Sequence, residues 1–384
     1  MSIAASVAIN RNREVSRRVK RVAIFGAGNA GQAAAAHMTK MGLEVRLYNR
    51  WANEIEAIKA AGGINLKGVL GEGFYKIPVI TADVKEAVEG ADLFWVATPA
   101  VAHEFLAAEL APILPERAKV FLNPGSTGGA LAFTNTLRKH GGPKEVVVGE
   151  TNTNIYITRI TGPATVTVWN VGGVLFSTFP GKKREEFFAE VSPYYPSLVL
   201  SKTVLDTAFA NVNAVMHPAG IIMNAGWIEH TGGNFRFYTE GGTPAVGAVI
   251  DQLERERVAT MVALGITPKP FVEVFYLYGA TSKEAVETGS CYIALRDSEA
   301  NKEIMAPPSM KHRFMTEDLP FGIVPYKHLA TLAGVQTPVI DSLITLASVV
   351  SATDWLSKGL TLEKMGLAAV AKYNLLNFLR EGTI

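Results

Sequence analysis

The chain has 384 residues, which at roughly 150 residues per domain allows two to three domains. Apolar residues make up 48% and charged residues 19%, a globular composition that excludes a disordered chain. Lys and Arg total 37 against 35 Asp and Glu, a formal charge of +2, so no electrostatic case exists for DNA, RNA or an anionic membrane as partner. No uninterrupted apolar run reaches the roughly 18 residues that a membrane-spanning helix needs. The single cysteine, Cys291, excludes an internal disulfide and points to a reducing compartment. A cytoplasmic homodimer is expected.

Residues 1–20 are basic, with Arg11, Arg13, Arg17, Arg18 and Lys20 against the single acid Glu14, and read as a flexible, solvated tail. Over residues 21–190, short apolar runs alternate with helical patterns, which predicts a Rossmann-type α/β domain with a parallel sheet and crossover helices. Strands are predicted at Val22–Phe25, Glu44–Tyr48, Leu93–Ala97, Lys119–Leu122 and Glu145–Gly149, with helices at Gly31–Met41, Ala52–Ala61 and Ala100–Leu110. Thr165–Trp169 and Val174–Phe179 read as further strands extending the same sheet. Beyond Lys182 helical periodicity takes over, so residues 191–384 are expected to form a mostly α-helical domain. The boundary is placed at 185–195, around Ser192-Pro193.

Gly26-Ala27-Gly28-Asn29-Ala30-Gly31 follows the first strand and opens an alanine-rich helix, the setting that a dinucleotide fingerprint requires. Gly26 allows the tight turn, Gly28 lets a pyrophosphate approach the backbone, and Gly31 permits close helix–strand packing. The backbone of Asn29 and Ala30 supplies N–H groups at the helix start. After the second strand, an NAD site usually carries an acid for the ribose 2′-hydroxyl. Here Asn49-Arg50 stands instead: Asn49 does not repel a 2′-phosphate and Arg50 can pair with one, so NADP is favoured, with NAD the alternative. Thr98-Pro99 and Pro124 close later strands and are expected to wall the cofactor crevice.

A helix predicted over Asp206–Met216 leads into His217-Pro218. Proline disfavours helical geometry at His217, so the helix is expected to end or kink there and present the imidazole. Asn213, four residues earlier, shares its face. In the segment Lys311–Gly322, Arg313 can grip a carboxylate bidentately, and Asp318 can hold an imidazole in one tautomer. His103, His140, His230, His312 and His328 are scattered without ligand spacing, so no metal is expected. No GxSxG nucleophile elbow is present.

The segments GAGNAGQAAA, LNPGSTGGAL, GETNTN, NVNAVMHP, YTEGGTPAVG and RFMTEDLPFGIVP together resemble the octopine/nopaline (opine) dehydrogenase family over nearly the whole chain after the tail. The resemblance implies condensation of an amino acid or amine with a 2-oxo acid, followed by reduction of the imine with NAD(P)H. It places the catalytic histidine at His217, its supporting aspartate at Asp318 and the oxo-acid arginine at Arg313; Asn213, on the same helix face as His217, is expected to contact the substrate. The chain departs from many members at Asn49-Arg50, where they carry an acid. Small molecules are the implied partners, and Trp227, Tyr276 and Tyr278 are candidates for the amine pocket. A hydroxy-acid dehydrogenase of related build would carry a lysine in the helix entering the second domain, where this chain has Asn213 and His217. A non-catalytic NADP sensor would not need His217, Arg313 and Asp318 together.

Overall fold

The computed structural model describes residues 19–383, so all but the last two residues of the expected basic tail lie outside the described part. Ile24, Phe25, Val45, Leu47, Phe94 and Trp95 are fully buried, as expected of parallel strands covered on both faces. The first domain runs Arg21–Phe25 (β1), Asn29–Lys40 (α1), Glu44–Tyr48 (β2), Glu56–Ala61 (α2), Gly63–Gly68 (β3), Gly73–Lys76 (β4), Val79–Thr81 (β5), Val84–Val88 (α3), Leu93–Val96 (β6) and His103–Leu110 (α4). It continues with Lys119–Leu122 (β7), Gly129–Lys139 (α5), Val147–Thr151 (β8), Tyr156–Gly162 (β9), Thr165–Val171 (β10), Val174–Phe179 (β11), Arg184–Val191 (α6) and Leu198–Leu200 (β12).

An eight-stranded sheet has the order β12-β11-β8-β7-β6-β1-β2-β5. The six strands from β5 to β8 are parallel in a doubly wound order, β11 pairs antiparallel to β8, and β12 pairs parallel to β11. The order reverses between β1 and β6, so the loops after these strands flank the crevice where such sheets hold a ligand.

Thr165–Trp169 does not extend this sheet. It belongs to β10 in a separate four-stranded sheet, β4-β3-β10-β9, which packs against the other side of α1. The physical reason lies in α1 itself. Ala33, Ala34, Ala35 and Ala36 span a full turn and are all fully buried, so this helix has a second apolar face that must be covered. The main sheet takes in Leu198–Leu200, past the 185–195 interval where the composition changes.

The second domain comprises Val204–Phe209 (α7), Val212–Met223 (α8), Ala225–Thr231 (α9), Pro244–Ala263 (α10), Phe271–Leu277 (α11), Lys283–Glu287 (α12), Cys291–Asp297 (α13), Arg313–Thr316 (α14), Val324–Ala333 (α15), Pro338–Ser351 (α16), Trp355–Lys358 (α17) and Leu375–Glu381 (α18). The twenty-residue α10 packs on α8, α13, α15 and α16. Its buried Glu256 accepts the N–H groups of Val339 and Ile340 at 2.9 and 3.0 Å, satisfying the start of α16. The chain then returns to the first domain, where Phe378 of α18 meets Phe179 with ring centroids 5.3 Å apart. No helix among the described residues is long and apolar enough to cross a membrane.

The expected single helix over Asp206–Met216 is instead two. The break falls at Ala210-Asn211, and α8 runs through Pro218 to Met223 without ending at His217. The break is held by Tyr326, whose hydroxyl lies 3.2–3.3 Å from the carbonyls of Ala208, Phe209 and Asn211, and by Arg257, which donates to Phe209 O. An interior proline costs a helix about 3 kcal/mol. Burial of every α8 residue except Asn213 and Met223 offsets that cost.

Candidate active site

At the end of β1 the chain turns at Gly26, whose φ of +106° favours glycine. A side chain at Gly31 would place its Cβ 1.7 Å from Gly26 O, so α1 can approach β1 this closely only with glycine there. Around Gly28 the same test finds open space within 4 Å, and α1 carries no side-chain cap, leaving its first backbone N–H groups for an anion. Asn29 turns its carboxamide the other way, accepting Ile160 N–H at 2.8 Å and tying α1 to the second sheet, so its side chain is committed. Ala30 sits in the first turn of α1.

Across the crevice, the hydroxyl of Thr98 is buried with no hydrogen-bond partner among the described residues, and the Thr98 methyl lies beside Gly26. An orphaned donor on a residue that borders an open glycine cradle fits a dinucleotide. Pro99 precedes a 3-10 turn at Ala100–Ala102. Pro124 follows Asn123, whose Oδ1 accepts from Thr151 Oγ1 and Ile155 N at 3.2 and 3.0 Å, fixing the loop on β8. Below that loop, the fully buried Glu150 accepts Ala130 N–H at 2.7 Å and supports the start of α5. Burial pushes its carboxyl up to about 7, against the opposing hydrogen bonds from Thr207 and Ala130.

After β2, Asn49 is buried, with Oδ1 accepting Ala27 N–H at 3.1 Å and Nδ2 donating to Glu54 at 2.8 Å. Arg50 lays its guanidinium 3.9 Å from the Phe105 ring centroid and 4.8 Å from that of Trp51. Glu54 thus brings a carboxylate to the corner where the sequence expectation counted none.

At the carboxyl edge of the sheet, the second domain presents a buried histidine–carboxylate pair. His217 Nδ1 lies 2.7 Å from Asp318 Oδ2, with both side chains under a tenth exposed. A carboxylate only accepts, so Nδ1 carries the proton and the Nε2 lone pair is available. His217 comes from α8, and Asp318 immediately precedes a single π-helical turn at Leu319–Ile323. A Cβ on Gly322 would fall 2.9 Å from Ala214 Cβ, so glycine lets this turn press onto α8 and deliver Asp318. Phe314 stacks on the imidazole with centroids 3.6 Å apart. Nε2 meets the hydroxyl of Tyr238 at 2.7 Å.

Arg313 opens α14 with its side chain about two-thirds exposed, and its Nε lies 3.4 Å from Glu317 Oε2. The other carboxylate oxygen of Glu317 accepts Ala100 N–H at 3.1 Å, so this acid ties the arginine to the crevice wall of the other domain. Burial raises the Glu317 carboxyl, with Arg313 opposing. Asn213 is half-buried one turn before His217, and its carboxamide bonds to no described residue. Of the amine-pocket candidates, Tyr278 reaches across to Asn154 O at 3.2 Å, Trp227 stacks on Phe235 with centroids 3.9 Å apart, and Tyr276 is exposed.

Fold and site together define a two-domain, dinucleotide-dependent oxidoreductase whose helical domain holds a buried histidine–carboxylate pair. Residues 200–351 match the family described as NAD/NADP octopine/nopaline dehydrogenase, alpha-helical domain, and residues 22–153 match ketopantoate reductase PanE/ApbA. The opine dehydrogenase of Arthrobacter sp. (strain 1C) is 34% identical over 91% of this chain and 96% of its own length. The vitopine synthase of Allorhizobium ampelinum is 27% identical over 94% and 99%. An octopine dehydrogenase solved with NADH and L-arginine has the same fold, with a TM-score of 0.76 over 93% of this chain and 98% of that one at 20% identity. The chain belongs to the octopine/nopaline (opine) dehydrogenase family and is an NAD(P)-dependent oxidoreductase.

Sequence reasoning left Tyr238, Phe314, Glu317 and Glu54 without roles. Tyr238 and Glu317 lie inside the segments YTEGGTPAVG and RFMTEDLPFGIVP that carried the resemblance, so position within a motif was the signal available. Glu54 gave none, since only the 3-10 turn at Ala52–Glu54 folds it back to Asn49.

Proposed function

We propose that this enzyme condenses the amine of an amino acid with a 2-oxo acid and reduces the imine, with His217 as the acid–base group, Asp318 as its orienting partner and Arg313 as the oxo-acid anchor. The observation that carries the reading is the buried 2.7 Å contact between His217 Nδ1 and Asp318. That contact leaves Nε2 to exchange a proton. Dehydrating the carbinolamine places a proton on its departing hydroxyl, and the reverse reaction removes one from water. Asp318 keeps the ring in a single tautomer. The guanidinium fork of Arg313 pairs with the oxo-acid carboxylate, with its own orientation set by Glu317. The open carboxamide of Asn213 is supported as a second substrate contact by its place one turn from His217.

A nicotinamide dinucleotide, when bound, supplies the hydride. Gly26, Gly28, Gly31 and the backbone of Asn29 and Ala30 would hold its pyrophosphate, with Thr98, Pro99 and Pro124 beside it. The preferred form is NADPH. What supports this is Arg50, fixed beside Phe105 and Trp51 at the strand end and able to pair with a 2′-phosphate, with Asn49 uncharged next to it. Glu54 opposes the same phosphate and limits the preference.

The test is His217→Ala. Turnover falls about 10²–10⁴-fold, the usual size of a general acid–base contribution, while NADPH affinity is kept. Near-normal turnover would make His217 a packing residue and remove the proposed mechanism.

A further inference from the structure

The atom of His217 that must exchange a proton is not open. In the neutral ring Nδ1–H donates to Asp318, so Nε2 can only accept, and the hydroxyl 2.7 Å away can only be donating to it. Both residues are buried, His217 at 6% and Tyr238 at 5% exposure. One face of the imidazole lies under Phe314, which itself packs on Phe237 with centroids 5.2 Å apart. Nε2 can hold a proton of its own only if the hydroxyl reverses, accepts from the ring, and donates its proton elsewhere.

Tyr238 is held at this point by more than its own ring. The turn that carries it is bridged to a distant segment, where Phe237 N–H donates to Ile304 O at 2.8 Å and Ala306 N–H to Phe235 O at 2.7 Å. Arg296 donates to Thr239 O and Gly242 O at 2.7 and 3.2 Å, and Asn224 donates to Gly241 O at 3.1 Å. A Cβ on Gly242 would fall 2.1 Å from Tyr238 O, so this turn closes only with glycine there. Such fixation on every side is what a hydroxyl needs if it is to meet one nitrogen atom at hydrogen-bond distance.

We infer that Tyr238 is a catalytic residue: its hydroxyl relays the proton between His217 Nε2 and the substrate. The inference rests on the reading of His217 as the acid–base group. In the condensing direction, the Nε2–H of cationic His217 passes to the tyrosine oxygen as the tyrosine proton passes to the hydroxyl of the carbinolamine. The C–O bond breaks, water leaves, the nitrogen lone pair forms C=N, and His217 ends neutral. Nothing is oxidised or reduced in this step, and the hydride transfer that follows is separate. The two transfers occur together, so no tyrosinate forms. Burial and the nearby Asp318 charge, which raise the hydroxyl's pKa well above the ordinary tyrosine value, work against an anion there. The Arg313 charge acts on the same hydroxyl in the opposite sense.

The test uses the full-length enzyme with saturating NADPH, amine and oxo acid, comparing Tyr238→Phe with His217→Ala. Phenylalanine keeps the ring and its packing on Phe237 while deleting the hydroxyl. The relay predicts a kcat loss of at least about 10-fold, below the usual 10²–10⁴-fold acid–base contribution because water can stand in for the hydroxyl. KM for both substrates and the NADPH affinity stay within a few-fold. Replacing Tyr238 by fluorotyrosines of graded acidity, which preserve shape, changes kcat in step with hydroxyl acidity. A Tyr238→Phe enzyme that turns over at the wild-type rate or faster, or a fluorotyrosine series with constant kcat, overturns the relay. Loss of activity in His217→Ala alongside either result overturns the relay alone. Retained activity in His217→Ala overturns the acid–base reading itself. If Tyr238→Phe does not fold, the fluorotyrosine series decides.

Discussion

Replacing Asp318 by asparagine swaps one carboxylate oxygen for an amide nitrogen and reverses the logic of the imidazole. The contact to His217 Nδ1 is 2.7 Å long, with side chains 8% and 7% exposed, so neither partner can exchange it for water. A hydrogen bond to a charged group is worth about 1.5–3 kcal/mol, which at about 1.36 kcal/mol per decade is roughly 10- to 100-fold in rate if it is felt only in the transition state. An asparagine amide can also donate to Nδ1 and push the ring proton onto Nε2, the tautomer that cannot accept from Tyr238. The two effects act on the same step, so kcat is expected to fall about 10²–10⁴-fold. KM for the oxo acid changes less, because Arg313 remains in place. NADPH affinity, measured by fluorescence titration, is unchanged, since the glycine cradle lies in the other domain. Asp318 and His217 act as one unit, so the double variant with His217→Ala is little worse than His217→Ala alone. Full additivity of the two losses would show that the residues work independently and refute the reasoning.

Arg313→Ala removes the proposed bidentate, charge-assisted anchor and is expected to raise KM for the oxo acid about 10²-fold or more, with NADPH affinity intact. This is read from initial rates at varied oxo acid. Arg50→Ala is expected to erode the proposed preference for NADPH over NADH, and Glu54→Gln to sharpen it by removing the carboxylate that Asn49 draws in, both read as ratios of kcat/KM for the two cofactors. Glu150 has a folded-state pKa of about 7 against an ordinary value of 4.5, so the folded protein holds this proton more tightly than the unfolded chain. Its stabilising effect is complete below pH 4.5 and is lost as pH rises through 7, by about 3 kcal/mol at 1.36 per pH unit. Glu150→Gln, which cannot ionise, therefore gains melting temperature relative to wild type as pH goes from 5 to 8, and a constant difference across that range counts against a neutral Glu150.

The nucleotide-binding half was legible because its signals are local. A glycine fingerprint between an apolar strand and an alanine-rich helix sets turn, approach and packing within six residues, and Gly31 meets Gly26 as that pattern requires. The second sheet was less so: β3, β4 and β9 are partly exposed, and the need for them lies in the doubly buried face of α1 rather than in their own pattern. Pro218 misled for a tertiary reason. Its local preference is to stop a helix, but packing of α8 on α10, α14 and α16 outweighs it, and the break moves to where Tyr326 and Arg257 satisfy the freed carbonyls. His217, Arg313 and Asp318 were found through motif resemblance, and one hundred residues separate the dyad in sequence. Tyr238 and Phe314 required geometry, since their meaning is the nitrogen atom one touches and the ring face the other covers.

The most direct measurement of the central claim is NADPH oxidation with a 2-oxo acid alone, an amino acid alone, and both together across a panel of each, with products identified by mass. A reductive condensation consumes NADPH only when both are present, and the product mass equals the sum of the two less one oxygen atom. Steady oxidation with the oxo acid alone, yielding a hydroxy acid, would contradict the account and make this chain a hydroxy-acid dehydrogenase built on the same fold.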